Sequence, residues 1–138
     1  QNFSIGKAIQ VSDGKRLALF STGAIFEEVK EAWEKLKEAG YEPAIYTFPT
    51  VKPIDKDVIQ KIAEDFELIV TCEEHNIVAG FGSAVAEVIA EMKIRKASLL
   101  RIGIKDEYSI CVGNQKYLRQ HCGINAESIV DKIKEVFN

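Results

Sequence analysis

Residues 16–40, RLALFSTGAIFEEVKEAWEKLKEAG, carry the reading that decides the fold. Arg16 to Phe20 is a short apolar run of the kind found in strands covered on both faces of a parallel sheet. Ser21, Thr22 and Gly23 follow as a tight turn whose side chains and backbone suit a helix start. From Ala24 to Ala39, Ile25, Phe26, Val29, Ala32, Trp33 and Leu36 recur at spacings of three and four, while Glu and Lys residues fill the opposite face. Gly40 ends the helix. The stretch therefore reads as strand, turn and helix in direct succession.

The same unit recurs downstream. Pro43 to Phe48 is strand-like, Pro49 to Pro53 is rich in turn residues, and Asp55 to Phe66 places Val58, Ile59, Ile62, Ala63 and Phe66 on one helical face. Asp55 is the expected cap of that helix, with Ile54 stapling onto Ile59. A third strand, Glu67 to Thr71, runs into Cys72, Glu73, Glu74 and His75, and the glycine-rich Ala79 to Ser83 opens a helix through Ala84 to Met92. Ser98 to Ile104 is a fourth strand. A loop at Lys105 to Gly113, a short helix near Gln115 to His121 and a closing helix from Ala126 to Phe137 complete the chain. Short strands alternating with helices imply parallel pairing through right-handed crossovers, hence an α/β fold in three layers. Ala8 to Val11 is an added strand that fits either a hairpin or a far edge.

The 138 residues fit one domain, spanning 1–138. Eighteen basic against 21 acidic residues give a net charge of −3 with no long block of either sign, which argues against a nucleic-acid surface. Three unpaired cysteines, Cys72, Cys111 and Cys122, and the lack of an export signal point to a reduced, cytoplasmic setting. No apolar run approaches the roughly 20 residues that cross a bilayer. A chain that starts with Gln also fits an excised piece of something longer.

In an open parallel sheet the ligand crevice lies beyond the carboxyl ends of the strands, where the strand order reverses. The simplest winding brings Ser21, Thr22 and Gly23 beside Glu73, Glu74 and His75 there. Helix-start amides would favour an anion at that point, and the two glutamates would oppose it. Gly80-Phe81-Gly82-Ser83-Ala84 lacks the third glycine of a dinucleotide fingerprint, since Val85 stands in its place. Small residues there let the helix start pack closely on the sheet, with a ligand or partner contact as the competing reading. Cys72, Glu73, Glu74 and His75 lack the second Cys/His pair of a structural zinc site. His121 and Cys122 flank a helix end, and neither Cys111 nor Cys122 has an identifiable basic partner that would make it a nucleophile. No self-sufficient catalytic set emerges, so the catalytic, cofactor-binding and metal-binding assignments are all none. Thr22, Gly23, Glu74, His75, Gly80, Gly82 and Ser83 are the candidate interface or anion contacts.

The order and wording of these segments resemble the C-terminal domain of transketolase and its thiamine-dependent relatives, over nearly the whole chain. The likeness rests on Gly6-Lys7, Leu17 to Gly23 (LALFSTG), Lys52 to Asp55 (KPID), Ile69 to Gly82 (IVTCEEHNIVAGFG), Ser83 to Glu87 (SAVAE) and Arg101 to Asp106 (RIGIKD). It is more similar to transketolase, especially the type split between chains, than to 1-deoxyxylulose-phosphate synthase or 2-oxoacid dehydrogenases. The resemblance implies a mixed, mostly parallel sheet of about five strands with one antiparallel edge. It also implies that thiamine diphosphate and Mg2+ serve the complete enzyme but are held by its pyrophosphate- and pyrimidine-binding domains, partly through a Gly-Asp-Gly signature. Here the nearest string is Ser12-Asp13-Gly14. What remains for this chain is assembly with those domains in a homo-oligomeric enzyme that moves two-carbon ketol units between sugar phosphates. The competing readings are a free-standing regulatory ligand-binding module that uses the Thr22-Gly23 and Glu73-His75 crevice, and the same domain of a 2-oxoacid dehydrogenase or a 1-deoxyxylulose-phosphate synthase.

Overall fold

Leu17, Ala18, Leu19 and Phe20 lose all contact with solvent because their strand is the centre of a sheet. In the computed structural model, which describes residues 6–76, 80–104 and 123–137, strand β2 (Leu17–Thr22) lies between β3 (Ala44–Phe48) and β4 (Leu68–Asn76) and runs parallel to both. Strand β5 (Ser98–Ile104) continues the parallel set beyond β4. Strand β1 (Ile9–Ser12) joins β3 antiparallel, giving the order β1-β3-β2-β4-β5. The added strand thus takes the far edge rather than forming a hairpin with its sequence neighbour. The chain winds from β2 out to β3 and back to β4, which opens the crevice expected between β2 and β4.

Helices cover both faces. Helix α1 (Phe26–Glu38), entered through a 3-10 turn at Gly23–Ile25, packs with α4 (Ala126–Val136) over Leu17, Leu19, Val70 and Cys72. Helices α2 (Lys56–Asp65) and α3 (Phe81–Ala90) pack over Ala18, Phe20 and Ile69 on the other face. Alternate residues of one strand thus feed two separate cores, as the period-2 geometry of a strand requires. An aromatic row fills the second core, with ring centroids 4.9 Å apart for Phe20 and Phe48 and 5.0 Å for Phe48 and Phe81. Among the described residues no helix is long and apolar enough to cross a membrane.

Polar contacts fix how these layers meet. Asp55 caps α2 as expected, accepting from the Val58 amide at 3.3 Å, and its other oxygen accepts from the Ala8 amide at 2.8 Å. One buried carboxylate therefore ties the segment leading into β1 to the start of α2. Gly6, at φ +80°, donates its amide to Thr50 Oγ1 and lies so close to Pro53 that a side chain there would press on the ring. The Gly6-Lys7 and KPID stretches are thus two sides of one contact. At the opposite end of the sheet the Arg16 carbonyl accepts from the amides of Glu67 and Leu68, and its guanidinium pairs with the Glu67 carboxylate at 2.7 and 3.2 Å. The hydrogen bond from Arg16 holds the Glu67 carboxyl below the usual carboxylate range.

Several boundaries differ from the sequence reading: β2 runs on through Ser21 and Thr22, expected as a turn, because both pair with β3, and α1 starts at Phe26 after a 3-10 turn rather than at Ala24; two further extensions border the crevice. Strand β4 runs on through the charged residues to Asn76, and α3 begins at Phe81 inside the glycine-rich stretch rather than at Ala84. Both extensions have one cause, the side chain of Glu73, described below. The loop expected at 105–113, the short helix near 115–121, Cys111, His121 and Cys122 lie outside the described residues.

Asp55→Ala is expected to lower unfolding stability by about 2 kcal/mol, since it removes a cap and leaves the Ala8 amide without its acceptor. The exposed neighbour Asp57 serves as control, and Asp57→Ala should cost much less. Urea unfolding of both variants checks this, and equal losses would contradict the double role.

Candidate functional site

The carboxyl ends of β2 and β4 come together as the strand order demands, with Ser21 paired in register to Cys72. The crevice therefore faces two helix starts, the 3-10 turn after Thr22 and the first turn of α3. The first amides of any helix lack intrahelical acceptors, so each start needs an acceptor or a ligand.

At α3 the acceptor is internal. Glu73 is fully buried, its Oε1 accepting from the Phe81 amide and its Oε2 from the Gly82 amide, both at 2.7 Å. Two short charge-assisted bonds and the positive end of the helix offset the desolvation of the carboxylate. The Gly80 cap position carries no side chain able to do this work. Glu73 thus explains both extensions: a buried charge at the end of β4 holds the strand in place, and its oxygens let the helix begin three residues early.

Gly82 is buried in the same knot. A Cβ there would sit 2.7 Å from Thr71 Oγ1, 3.0 Å from Glu73 Oε2 and 3.2 Å from the Arg101 side chain. The glycine is required by close approach of helix to sheet, since its φ lies outside the left-handed region. Ser83 lies on the rim, where its hydroxyl oxygen accepts from Arg101 Nη1 at 3.2 Å. Glu74 and Gly80 are half-buried, and His75 is carried by β4.

The other helix start is organised differently. Among the described residues, neither Thr22, at the cap of the Gly23–Ile25 turn, nor Ile25, at the cap of α1, makes a side-chain cap bond, and Gly23 borders open space. Ser21 Oγ donates to the Thr22 carbonyl at 2.6 Å. Among the described residues the hydroxyls of Thr22 and Thr71 are buried without a hydrogen-bond partner. The remaining starts resemble α3: Asn125 accepts from the Ser128 amide and Glu28 of α1 accepts from the Ala126 amide, so α4 is held from two sides.

Little of this chemistry is reactive. Cys72 lies under α1 and α4, where burial, with a smaller contribution from Glu73, pushes its thiol up to about 12 against the opposing charge of Lys132. A thiol that stays protonated at neutral pH is a poor nucleophile. Among the described residues no three His, Cys, Asp or Glu side chains converge as metal ligands. A thiamine diphosphate site does not fit these residues either: the α3 amides that would grip a diphosphate already hold a carboxylate, whose charge repels it. Sequence reasoning places Glu73 as a charge opposing an anion in the crevice, sets it aside as a metal ligand, and misses its role at the helix start. The signal available is a helix start with glycine at its cap and an acidic residue at the end of the preceding strand.

Gly82→Ala is expected to destabilise the fold by about 2 kcal/mol or more through overpacking onto Thr71 and Glu73, whereas Gly23→Ala, with open space around it, should change stability by less than about 1 kcal/mol. Thermal unfolding of the two variants gives the comparison, and reversal of the order would refute the close approach of helix to sheet at Gly82. Cys72 should resist alkylation at pH 8 until the chain unfolds, read by peptide mass mapping. Because the folded thiol stays protonated while the unfolded one ionises near 9.0, its contribution to stability is complete below that pH and declines as pH rises toward 12. Rapid labelling of Cys72 in the native chain would contradict its burial.

The surroundings of this crevice match a known domain. The family model described as "Transketolase, C-terminal domain" matches residues 6–129. A Methanocaldococcus jannaschii protein named as a transketolase C-terminal section is 42% identical over 133 residues, covering 96% of this chain and 40% of the relative. An apulose-4-phosphate transketolase subunit of Actinobacillus succinogenes is 37% identical, with 94% and 41% covered. The 1-deoxy-D-xylulose-5-phosphate synthase of Cytophaga hutchinsonii is 35% identical, covering 99% of this chain and 21% of the relative. Among solved structures, a split-gene transketolase described as an inactive beta4 tetramer superposes with a TM-score of 0.85 at 25% identity, covering 98% of this chain and 42% of that one. The Campylobacter jejuni transketolase gives 0.65 at 16% identity over 94% of this chain and 18% of its own, a likeness of fold. This chain spans about 40% of the length of the first two relatives. It belongs to the transketolase C-terminal domain family.

Proposed function

We propose that this chain acts as the C-terminal domain of a transketolase, holding together an enzyme that transfers two-carbon ketol units between sugar phosphates with thiamine diphosphate and Mg2+ bound elsewhere. The observation that carries this reading is the continuous family match over residues 6–129. The chemistry of the crevice supports it, because the fully buried Glu73 carboxylate is spent on the fold. The names of relatives that are a C-terminal section, a transketolase subunit and a split-gene product favour a domain that works with separately folded parts. In this role Thr22, Gly23, Glu74, His75, Gly80 and Ser83 form the contact surface toward a neighbouring domain or an anion, with Gly82 beneath them. The Thr22-Gly23 turn is the better placed of the two helix starts for an anion, since among the described residues its cap residue Thr22 makes no side-chain cap bond and Gly23 borders open space. The cytoplasmic setting and homo-oligomeric state belong to the same proposal.

A second reading keeps the family and changes the reaction, and the identity to 1-deoxy-D-xylulose-5-phosphate synthases favours it. One experiment separates the readings. The chain is assayed in two mixtures with thiamine diphosphate and Mg2+, one holding xylulose phosphate and ribose phosphate and the other pyruvate and glyceraldehyde phosphate, first alone and then joined to the polypeptide that supplies the pyrophosphate- and pyrimidine-binding domains. Ketol transfer only in the joined preparation is the expected result. Turnover by this chain alone, or formation of deoxyxylulose phosphate in place of ketol transfer, would overturn it.

A further inference from the structure

A hollow of about 280 Å3 opens at the amino ends of β2 and β3, at the end of the sheet away from the β2–β4 crevice. A strained turn shapes it. The Lys15 amide donates to the Glu42 carbonyl and the Leu17 amide donates back to the Lys15 carbonyl, both at 2.7 Å. Arg16 between them stands at φ +69°, a region that few residues other than glycine adopt and that marks the strained form of a three-residue turn. The turn sends the Arg16 guanidinium to Glu67, at 2.7 and 3.2 Å, and over the Phe137 ring, 4.8 Å from its centroid. Phe137 in turn meets Tyr41, whose ring lies 6.1 Å away and whose hydroxyl donates to the Phe137 carbonyl at 3.4 Å. These two rings line one side of the hollow, and Tyr41 is only half-buried.

Two opposite charges stand at its mouth. Lys15 and Glu42 both line the hollow and are exposed, their main chains are joined by the hydrogen bond above, and among the described residues neither takes part in an ion pair. Arg16 differs, since Glu67 already neutralises it. The hollow therefore offers an occupant one cation and one anion side by side, next to an aromatic wall. We infer that it binds a small aromatic zwitterion, an α-amino acid with a single-ring side chain, through the carboxylate on Lys15, the ammonium group on Glu42 and the ring on Tyr41 and Phe137. A plain anion would meet repulsion from Glu42 and a plain cation repulsion from Lys15, so either gains less than a molecule carrying both charges. The aromatic wall favours a ring over an aliphatic group of equal size. A volume at the lower end of the range for ligand cavities limits the occupant to about one ring. This site is independent of the crevice and of the role proposed for the domain.

Isothermal titration of the complete enzyme with L-phenylalanine tests the assignment. Saturable binding with a Kd below about 1 mM is expected. It should be at least fivefold tighter than binding of phenylacetate, 2-phenylethylamine or L-cyclohexylalanine, which lack the ammonium group, the carboxylate and the aromatic ring in turn. Lys15→Gln and Glu42→Gln should each weaken phenylalanine binding at least fivefold, whereas Lys15→Arg, which keeps the cation, should stay within threefold of the parent. Both positions are exposed, so thermal unfolding of these variants should match the parent and separate a loss of binding from a loss of fold. Absence of saturable binding, phenylacetate or cyclohexylalanine binding as tightly as phenylalanine, or undiminished affinity in Lys15→Gln or Glu42→Gln would overturn the assignment.

Discussion

A carboxylate sealed between a parallel strand and the first turn of a helix sets the terms for this domain. Glu73 has no access to water, and its two oxygens are committed to two backbone amides. A buried charge is tolerable only with such partners, so strand, side chain and helix start stand or fall together. The glycine at position 82 follows from that arrangement, because anything larger would collide with Thr71 and the carboxylate itself.

The same device appears elsewhere in the fold. Asp55 joins the approach to β1 to the start of α2, and Glu28 joins α1 to the start of α4. Acidic side chains thus replace ligands at the starts of α2, α3 and α4, while among the described residues Thr22 and Ile25, at the entry to α1, make no side-chain cap bond. Charges that could build a reactive crevice hold the layers in register instead, which suits the proposed role of supplying shape and contact to a larger enzyme. Cys72, the one free thiol among the described residues, is likewise buried and protonated.

The alternation of apolar strands with amphipathic helices is legible because burial on both faces leaves a strong pattern in strands such as Leu17–Thr22 and in helices such as α1. The Asp55 cap is equally plain, as capping is local in sequence. The edge position of β1 is not, because Asp55 acts across 47 residues to place Ala8 and no local pattern encodes that. The role of Glu73 escapes the sequence for a related reason. Beside Glu74 and His75 it reads as one of a polar group at a strand end, and only the three-dimensional return of α3 turns one of the two glutamates inward. The family wording is carried largely by these long-range contacts, KPID against Gly6 and the strand-end glutamate against the glycine-rich turn, which is why it is specific as a set and uninformative piece by piece.

Amide hydrogen exchange at Phe81 and Gly82 reads the central interaction most directly, since the first amides of a helix ordinarily exchange quickly for want of a partner. With the Glu73 carboxylate bound to them, both should exchange only as slowly as the amides of the β4 core, through global unfolding. Exchange at the rate of an unprotected helix start would show that the carboxylate does not hold the helix, and that this domain is not a scaffold clamped by its own acidic side chains.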